Sequence, residues 1–261
     1  MEIAGYIASF FIGISLGLIG GGGSIITLPV LVYLFGLSPE LAISYSLFVV
    51  GSTSLVGSFN SYRKGLIDFK TVLLFGISSV ITVFVTRKFI LPLLPDVIQF
   101  KNYSLSFSTL TMVLFAVLML FASIKMIKAK TINEESLDED KSLLKLLLYG
   151  IGIGLITGFL GAGGGFLLIP ALVLILKLPM KKAIGTSLLI IALNSLVGFI
   201  ADTGHYETQW SFLLMISALA IAGVLTGGLL GKKIDGNKLK KGFGWFVLIM
   251  GIYIIVKELF L

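Results

Sequence analysis

The chain has 261 residues, of which 57% are hydrophobic and only 13% are charged, and its mean hydropathy is +1.07. Soluble domains are usually about 45–50% apolar and about 25% charged, so the composition excludes an ordinary soluble domain and predicts a polytopic membrane protein. The formal charge of +7 is accounted for by lysines at a cytoplasmic membrane face, so no nucleic-acid partner is expected. The absence of cysteine and the single histidine exclude disulfides and multi-histidine metal sites, and no cofactor is expected.

The apolar segments occur in two similar series along the chain. A glycine-interrupted segment at residues 3–35 is followed by three apolar segments, at about 41–59, 71–86 and 107–124. A second glycine-interrupted segment, at 146–176, is followed by three more, at about 183–201, 210–230 and 243–256. We expect all of these segments to be helical, because an open strand in lipid leaves backbone groups without hydrogen bonds.

The two glycine-interrupted segments are copies of one pattern. The sequence GLIGGGGSIITLP begins at Gly17, and the similar sequence GFLGAGGGFLLIP begins at Gly158. The shift along the chain that brings Gly17 onto Gly158, called the repeat offset below, also aligns Pro29 with Pro170 and repeats the sequence Ser-Leu-Val-Gly further along. We therefore predict two related halves, residues 1–124 and 146–261, joined by a cytoplasmic polar linker of mixed charge at 125–145.

Each glycine-interrupted segment is too long for one helical crossing. The first has about 33 residues, which would span about 50 Å at ~1.5 Å per residue, so we predict a hairpin bent at the glycines. With the linker in the cytoplasm, hairpins put 16 basic residues inside and 4 outside, whereas simple crossings give 9 and 11. The predicted fold is an all-α membrane protein with two inverted-topology repeats. Each repeat is a glycine-broken helical hairpin plus three transmembrane helices, and both termini face outward.

The start of the new helix after each glycine run is the candidate anion site. We expect these helices to begin near Ser24 or Thr27 and near Phe166, with Pro29 and Pro170 in their first turns. The first amides of a helix lack intrahelical acceptors and carry the positive end of the helix dipole, so they attract anions. Two such starts brought together would bind an anion without lysine or arginine, and no basic residue lies in the middle of an apolar segment.

Glycine also lets transmembrane helices pack closely, which is the alternative interpretation of these residues. Close packing needs a small residue at every fourth position, as at Gly13 and Gly17 or at Gly223 and Gly227. It explains a block of glycines less well, so we interpret the runs at 20–23 and 161–165 as functional helix breaks.

The helix after each glycine-interrupted segment carries matching polar residues. Ser46 and Thr53 lie seven residues apart on one helix face, and Ser187 and Asn194 occupy the matching positions in the second half. Such groups often line a site within a membrane, but interhelical hydrogen bonding is an alternative role. The predicted substrate-binding residues are Gly20, Gly21, Gly22, Gly23, Ser24, Ser46, Thr53, Gly161, Gly163, Gly164, Gly165, Ser187 and Asn194.

The doubled pattern G-x-x-G-x-G-G…P, the four-segment duplication and the chain length resemble the sulfite exporter TauE/SafE family of membrane transporters. The resemblance covers nearly the whole chain. It implies movement of a sulfur-containing oxyanion, such as sulfite, sulfoacetate or another sulfonate, across the bacterial inner membrane. The two halves differ in detail, since Ser24 stands opposite Gly165, so the expected site is pseudo-symmetric.

Export is the expected direction of transport. An inside-negative potential expels a monoanion without further coupling, because moving one charge through about 100 mV is worth ~2.3 kcal/mol. Proton-coupled uptake through Asp68 or Asp202 is one alternative, and an anion channel is another. An enzyme is not expected, because no nucleophile–base set or metal motif is recognisable, and a subunit that mainly holds partners would leave the doubled glycine runs unexplained. The expected partners are a small anionic substrate and membrane lipid, while the oligomeric state stays open.

Overall fold

The computed structural model describes residues 2–93, 97–100, 103–128, 143–160, 165–203, 208–231 and 234–260. The helices of the first half are α1 (Glu2–Ile19), α2 (Gly22–Pro29), α3 (Pro39–Arg63), α4 (Phe69–Thr71), α5 (Ile77–Val85) and α6 (Phe107–Lys128). Those of the second half are α7 (Leu143–Leu160), α8 (Gly165–Pro170), α9 (Met180–Asp202), α10 (Trp210–Leu230) and α11 (Gly236–Phe260).

Several helices have the length and composition of membrane spans. Within the described residues, four qualify fully: Pro39–Arg63, Phe69–Leu93, Met180–Asp202 and Trp210–Leu230. The second of these contains α4 and α5, joined and extended by π-helical turns. Three shorter apolar helices, at Ile3–Ile19, Gly23–Leu34 and Leu146–Leu160, belong to the glycine-interrupted segments. Large apolar side chains such as Phe11, Leu73 and Phe121 are exposed on the outside, as contact with lipid requires.

A short antiparallel pair of strands, β1 (Val97–Phe100) and β2 (Tyr103–Ser106), departs from the all-α prediction. The pair lies in the connection between the helix that ends at Leu93 and the start of α6. The prediction of helices depended on the lack of water in the hydrocarbon core, and that argument does not apply to a connection outside the apolar segments. The prediction concerned the apolar segments, and those that the structure describes are helical, so the class of helical membrane protein is confirmed.

Pro29 and Pro170 lie deeper in their helices than the sequence predicts. Because α2 begins at Gly22, Pro29 is the last of its 8 residues, and Pro170 is the last of the 6 residues of α8. The prediction of first-turn positions is therefore wrong. A proline inside a helix lacks the amide that would bond to the carbonyl one turn earlier. In both halves the helix widens at once into a π-helical turn, at Val30–Leu34 and at Ala171–Ile175.

The first glycine-interrupted segment doubles back on itself. After α1 ends at Ile19, the chain returns through α2 to Phe35, whose ring centroid lies 5.4 Å from that of Tyr6 in an edge-to-face contact. A methyl group on Gly5 would overlap the Phe35 ring. The start of α1 and the end of the returning arm therefore lie at the same end of the helix bundle.

The two halves use matching helix-to-helix interfaces. Helix α1 packs along α10, with Gly13 against Ala220, and α7 packs along α5, with Gly154 against Ser79. These two contacts are equivalent, because the repeat offset aligns Gly13 with Gly154 and Ser79 with Ala220. In the same way, α2 contacts α11 and α8 contacts α6. Small residues at these interfaces bring the helix backbones close together.

The equivalent helices α3 and α9 pack against each other in opposite directions. Gly57, near the end of α3, lies against Leu188, whereas Leu47, near its start, lies against Gly198. Helices α6 and α11 are arranged in the same antiparallel way.

We name the two ends of the bundle by one residue at each. The Lys64 end holds Lys64, Lys181 and Gly231, which line one cavity. The Arg87 end holds Arg87 and Asp202, which form an ion pair.

Candidate substrate site

The first glycine run breaks the backbone at Gly20 and Gly21. Gly20 has a φ of +79°, a left-handed conformation that glycine adopts without steric penalty, and its amide donates to the Leu16 carbonyl at 2.7 Å. Gly21 stands at the N-terminal boundary of α2 and provides no side-chain cap, so the first amides of α2 lack intrahelical acceptors. Gly20 contacts Ile184, about one turn from the start of α9, so the break lies nearer the Lys64 end than the middle of the bundle.

Gly21, at the start of α2, and Gly165, the first described residue of α8, lie together near the middle of the bundle. A methyl group on Gly21 would overlap the carbonyl group of Gly165, and one on Gly165 would lie 3.0 Å from Ser24 Oγ. Gly165 also contacts the side chain of Ile191, at the midpoint of α9. The structure thus brings three of the predicted residues, Gly21, Ser24 and Gly165, into one place, although they lie in different halves of the chain.

The rest of the two glycine runs is described less completely. Gly161, Gly163 and Gly164 lie outside the described residues, so the predictions for them stay predictions. Gly22 is described only as the first residue of α2. Gly23 packs against α1, and a methyl group there would overlap the Leu16 side chain.

The hydroxyl groups beside the break bond to the local backbone. Ser24 Oγ donates to the Gly21 carbonyl and Thr27 Oγ1 donates to the Gly23 carbonyl, each at 2.8 Å. Both side chains are buried. Since a hydroxyl has one proton, Ser24 binds its own helix start in this conformation and does not donate to an anion.

The predicted serines on α3 and α9 behave alike. Ser46 and Ser187 are buried and donate to the carbonyls of Ile43 and Ile184 at 2.8 and 2.9 Å. The two hydroxyls therefore occupy matching environments in the two halves.

Thr53 and Asn194 occupy matching positions but have different surroundings. Asn194 Nδ2 donates to Ser79 Oγ of α5 at 2.8 Å, which is the interhelical hydrogen bond that the sequence leaves open as an alternative role. The residue that matches Ser79 in the second half is Ala220, which offers Thr53 no such bond. Asn194 Oδ1 and Thr53 Oγ1 are buried without a hydrogen-bond partner among the described residues.

Two further buried hydroxyls, on Ser54 and Ser195, are absent from the sequence prediction. They follow Thr53 and Asn194 directly and match each other between the halves. Both are fully buried, and neither has a hydrogen-bond partner within the described part of the chain. An unpaired buried polar group costs about 1–3 kcal/mol, and the two halves carry this cost at matching positions. The repeated Ser-Leu-Val-Gly sequence is the signal that could have identified them.

A cavity of about 190 Å³ opens beside the break at the Lys64 end. Four glycines form part of its wall and add no side chains to the space: Gly17, Gly57, Gly228 and Gly231. Its polar lining is Asn60, Ser61, Lys64 and Lys181. Two lysines beside a cavity with low-dielectric walls raise the local concentration of anions. From the sequence alone these lysines are only cytoplasmic charges, because nothing in it shows that they share a cavity.

The two carboxylates considered for proton coupling have structural partners. Asp68 caps α4 by accepting a hydrogen bond from the Thr71 amide at 3.1 Å. Asp202 forms an ion pair with Arg87 at 2.7 Å, and Arg87 Nη1 donates to the Gly158 carbonyl at 3.2 Å. The sequence predicts Arg87 only as a charge on the outer side, whereas its side chain is buried. Among the described residues, no group of three or more His, Cys, Asp or Glu side chains could hold a metal ion.

A protein-family model described as "Sulfite exporter TauE/SafE" matches residues 6–254. Similar proteins include a "Probable membrane transporter protein" of Xylella fastidiosa (strain 9a5c), 26% identical over 251 residues, which cover 94% of this chain and 91% of that protein. "Probable membrane transporter protein YunE" of Bacillus subtilis (strain 168) is 29% identical, with 95% of each chain covered. A probable membrane transporter protein of Methanocaldococcus jannaschii is 28% identical over 88% of this chain and 84% of its own length. No solved structure matches the chain significantly.

Proposed function

Because the chain belongs to the sulfite exporter TauE/SafE family, we propose that it moves sulfite or an organosulfonate out of the cell as a secondary transporter. The family and the relatives make it a membrane transporter, and its apolar helices make it a multi-pass membrane protein. Family membership also implies a small anionic substrate. The proposal adds the substrate class, the binding site, the orientation and the direction.

The substrate binds at the starts of α2 and α8. The observation that carries this proposal is the close approach of Gly21 and Gly165, which places two helix N-termini from different halves side by side. Helix α8 continues into the π-helical turn that ends at Ile175, so both arms extend for more than two turns behind their amides. An oxyanion there would accept hydrogen bonds from main-chain amides and lie at the positive ends of two dipoles.

Buried hydroxyls on α3 and α9 would complete the site. Thr53, Ser54 and Ser195 have protons that no described residue accepts. A hydroxyl that donates to an anionic oxygen forms a charge-assisted hydrogen bond, which is stronger than a bond between neutral groups. Substrate binding would therefore satisfy groups that have no hydrogen-bond partner among the described residues.

The cavity at the Lys64 end is the entrance to this site. It extends from Lys64 and Lys181 to Gly17, three residues before the break at Gly20. The lysines attract the anion from solution, and the main-chain amides replace its hydration shell further in.

The Lys64 end faces the cytoplasm, and the two halves form inverted repeats. The opposite directions of α3 and α9 support the inversion, since these helices hold equivalent places in the two halves. The positive-inside rule supports the orientation, because Lys64 and Lys181 belong to the side that carries most of the basic residues. Both chain ends then face outward, and the membrane is the bacterial inner membrane.

The membrane potential drives export. The cytoplasm is negative, so a monoanion gains free energy on leaving, and no coupling ion is needed. Asp68 caps a helix and Asp202 pairs with Arg87, and this supports transport without a proton carrier, since both carboxylates already accept hydrogen bonds from the protein.

Flux through proteoliposomes of the purified chain tests the proposal. We expect saturable efflux of radiolabelled sulfite from vesicles in which the Lys64 end faces the lumen. The efflux should accelerate when a potassium gradient with valinomycin makes the lumen negative. Counterflow of labelled sulfite against unlabelled sulfite identifies a carrier, and its absence with rapid flux would identify a channel. Failure of sulfite and a panel of sulfonates to move at any potential would contradict the proposed substrate class.

A further inference from the structure

The cavity at the Lys64 end has a matching region at the Arg87 end. Gly57 packs against Leu188 beside the cavity, and the matching pair, Gly198 with Leu47, packs together at the Arg87 end. The same helices of the two halves therefore build both regions.

Arg87 occupies the position where the cavity has a glycine. The repeat offset places Arg87 opposite Gly228, which lines the cavity beside the Asn60 amide. At the Arg87 end, by contrast, the arginine side chain runs past Gly198, where a methyl group would lie 3.4 Å from Arg87 Cδ. The Arg87 side chain is only 3% exposed, so it fills the region that stays open at the other end.

The guanidinium of Arg87 is bound on three sides. Its Nε and Nη2 donate to the two carboxylate oxygens of Asp202 at 2.8 and 2.7 Å, and its Nη1 donates to the Gly158 carbonyl. The carbonyl belongs to the last turn of α7, where the helix dipole is negative. A two-pronged pair of this kind fixes orientation as well as distance. Arg87 therefore ties the end of the helix that contains α5 to the ends of α7 and α9.

We propose that the Arg87–Asp202 pair is the closed gate of a second entrance to the same substrate site. This inference rests on the proposed function, because a second entrance is needed only if a substrate crosses the membrane. In this conformation the Lys64 entrance is open and the Arg87 entrance is closed. When the pair separates, the planar guanidinium of Arg87 becomes available to an oxyanion, whose geometry it matches as well as that of a carboxylate. The departing substrate would thus replace Asp202 as the anionic partner of Arg87.

Accessibility of single cysteines tests the gate without measuring transport. The chain has no cysteine, so an introduced thiol is the only one present. Asn60→Cys lies in the open cavity, and Ala201→Cys lies at the matching, buried position of the Arg87 end. In oriented vesicles, a membrane-impermeant thiol reagent should label Asn60→Cys from the Lys64 side only. It should not label Ala201→Cys from the Arg87 side.

Opening the pair should then expose the second position. Adding Arg87→Gln or Asp202→Asn should raise the labelling rate of Ala201→Cys from the Arg87 side by at least about tenfold, because the open state becomes populated. The exchange Arg87→Asp with Asp202→Arg restores an ion pair of the same kind and should return the rate toward that of the parent.

Two results would overturn the gate. In the first, Ala201→Cys stays unreactive in both single variants. In the second, Ala116→Cys becomes reactive together with Ala201→Cys. Because Ala116 is a buried residue of α6 that packs against α11, this result would show that the Arg87–Asp202 pair only maintains the fold. Labelling does not require a known substrate, so absence of sulfite flux would count against the proposed function and leave this result intact.

Discussion

At the residue scale, neighbouring glycines in the first run are required for different reasons. Gly20 has a positive φ, which strains residues that carry a Cβ, by roughly 1–2 kcal/mol. Gly21 has a φ of −139°, which other residues adopt, but its hydrogen atoms face the main chain of Gly165. The first glycine shapes the break, and the second allows the two halves to meet.

Replacing Gly21 by alanine should therefore damage transport more than folding. The added methyl group overlaps the Gly165 carbonyl, so the two helix starts must move apart, and we expect sulfite flux to fall by at least about tenfold, or ~1.4 kcal/mol in the barrier. Gly152→Ala is the matched control, because no other group lies within 4 Å of a methyl group at that position. Equal sulfite flux in the two variants would show that Gly21 does not contribute to the substrate site.

Asn194 and Ser79 allow a structural hydrogen bond to be separated from a role in transport. Both Asn194→Ala and Ser79→Ala remove the 2.8 Å bond between α9 and α5, and such bonds in membranes average about 0.6 kcal/mol. If Asn194 lines the substrate path, only Asn194→Ala should lower sulfite flux severalfold, while both variants should lose similar thermal stability. A similar loss of flux in the two variants would assign Asn194 to packing alone.

At the element scale, glycine serves the packing of α1 along α10. Gly223 of α10 lies against the main chain of Phe10 and Gly13, so the two helices touch backbone to backbone. The block at Gly20 and Gly21 has no such periodicity. The two uses of glycine that sequence analysis distinguishes thus occur in adjacent parts of one hairpin.

A glycine-to-alanine change should lower the free energy of unfolding where the glycine allows close helix packing, and should raise it where the glycine has no close neighbour. Gly223→Ala forces α1 and α10 apart and should lower the free energy of unfolding by about 1–3 kcal/mol. Gly152→Ala makes the same change in the interior of α7 without a clash, and should raise stability by roughly 0.5–1 kcal/mol because alanine favours helix. Thermal unfolding in detergent measures both. A loss of stability in Gly152→Ala equal to that in Gly223→Ala would contradict the close-packing interpretation.

At the scale of the whole molecule, the ends of the bundle differ in charge and in openness. At the Lys64 end two lysines line a cavity, whereas at the Arg87 end a buried arginine is paired with an aspartate. In the proposed inverted arrangement, the two ends acquire different properties because single matching residues, such as Arg87 and Gly228, differ between the halves.

The orientation of the chain in the membrane should follow from this charge difference. Lys182 and Gln209 are exposed near opposite ends of the bundle, so Lys182→Cys and Gln209→Cys are suitable labelling sites. An impermeant thiol reagent added to intact spheroplasts should label Gln209→Cys and leave Lys182→Cys unlabelled until the membrane is opened. The reverse result would invert the proposed orientation and place the cavity at the Lys64 end on the outer side of the membrane.

Most of the fold follows from the sequence. Composition identifies a membrane protein, and the helix Trp210–Leu230 begins and ends where the apolar segment does, because lipid requires backbone hydrogen bonds to be made within each span. The break at Gly20 follows from glycine's conformational freedom, and the matching of the halves follows from the constant repeat offset. These features depend on neighbouring residues or on a repeated pattern, so they can be predicted from the sequence.

The site was predicted less completely, because its parts come from distant segments. Tertiary structure alone places Gly21 beside Gly165, puts Lys64 and Lys181 on one cavity, and pairs Arg87 with Asp202. It also puts Asn194 in a bond with Ser79 and leaves the Ser54 and Ser195 hydroxyls unpaired within the described chain. Sequence determined which residues are able to break a helix or carry a charge. Only the packing of helices decided which of them meet, because that depends on side chains far apart along the chain, as with the 115 residues between Arg87 and Asp202.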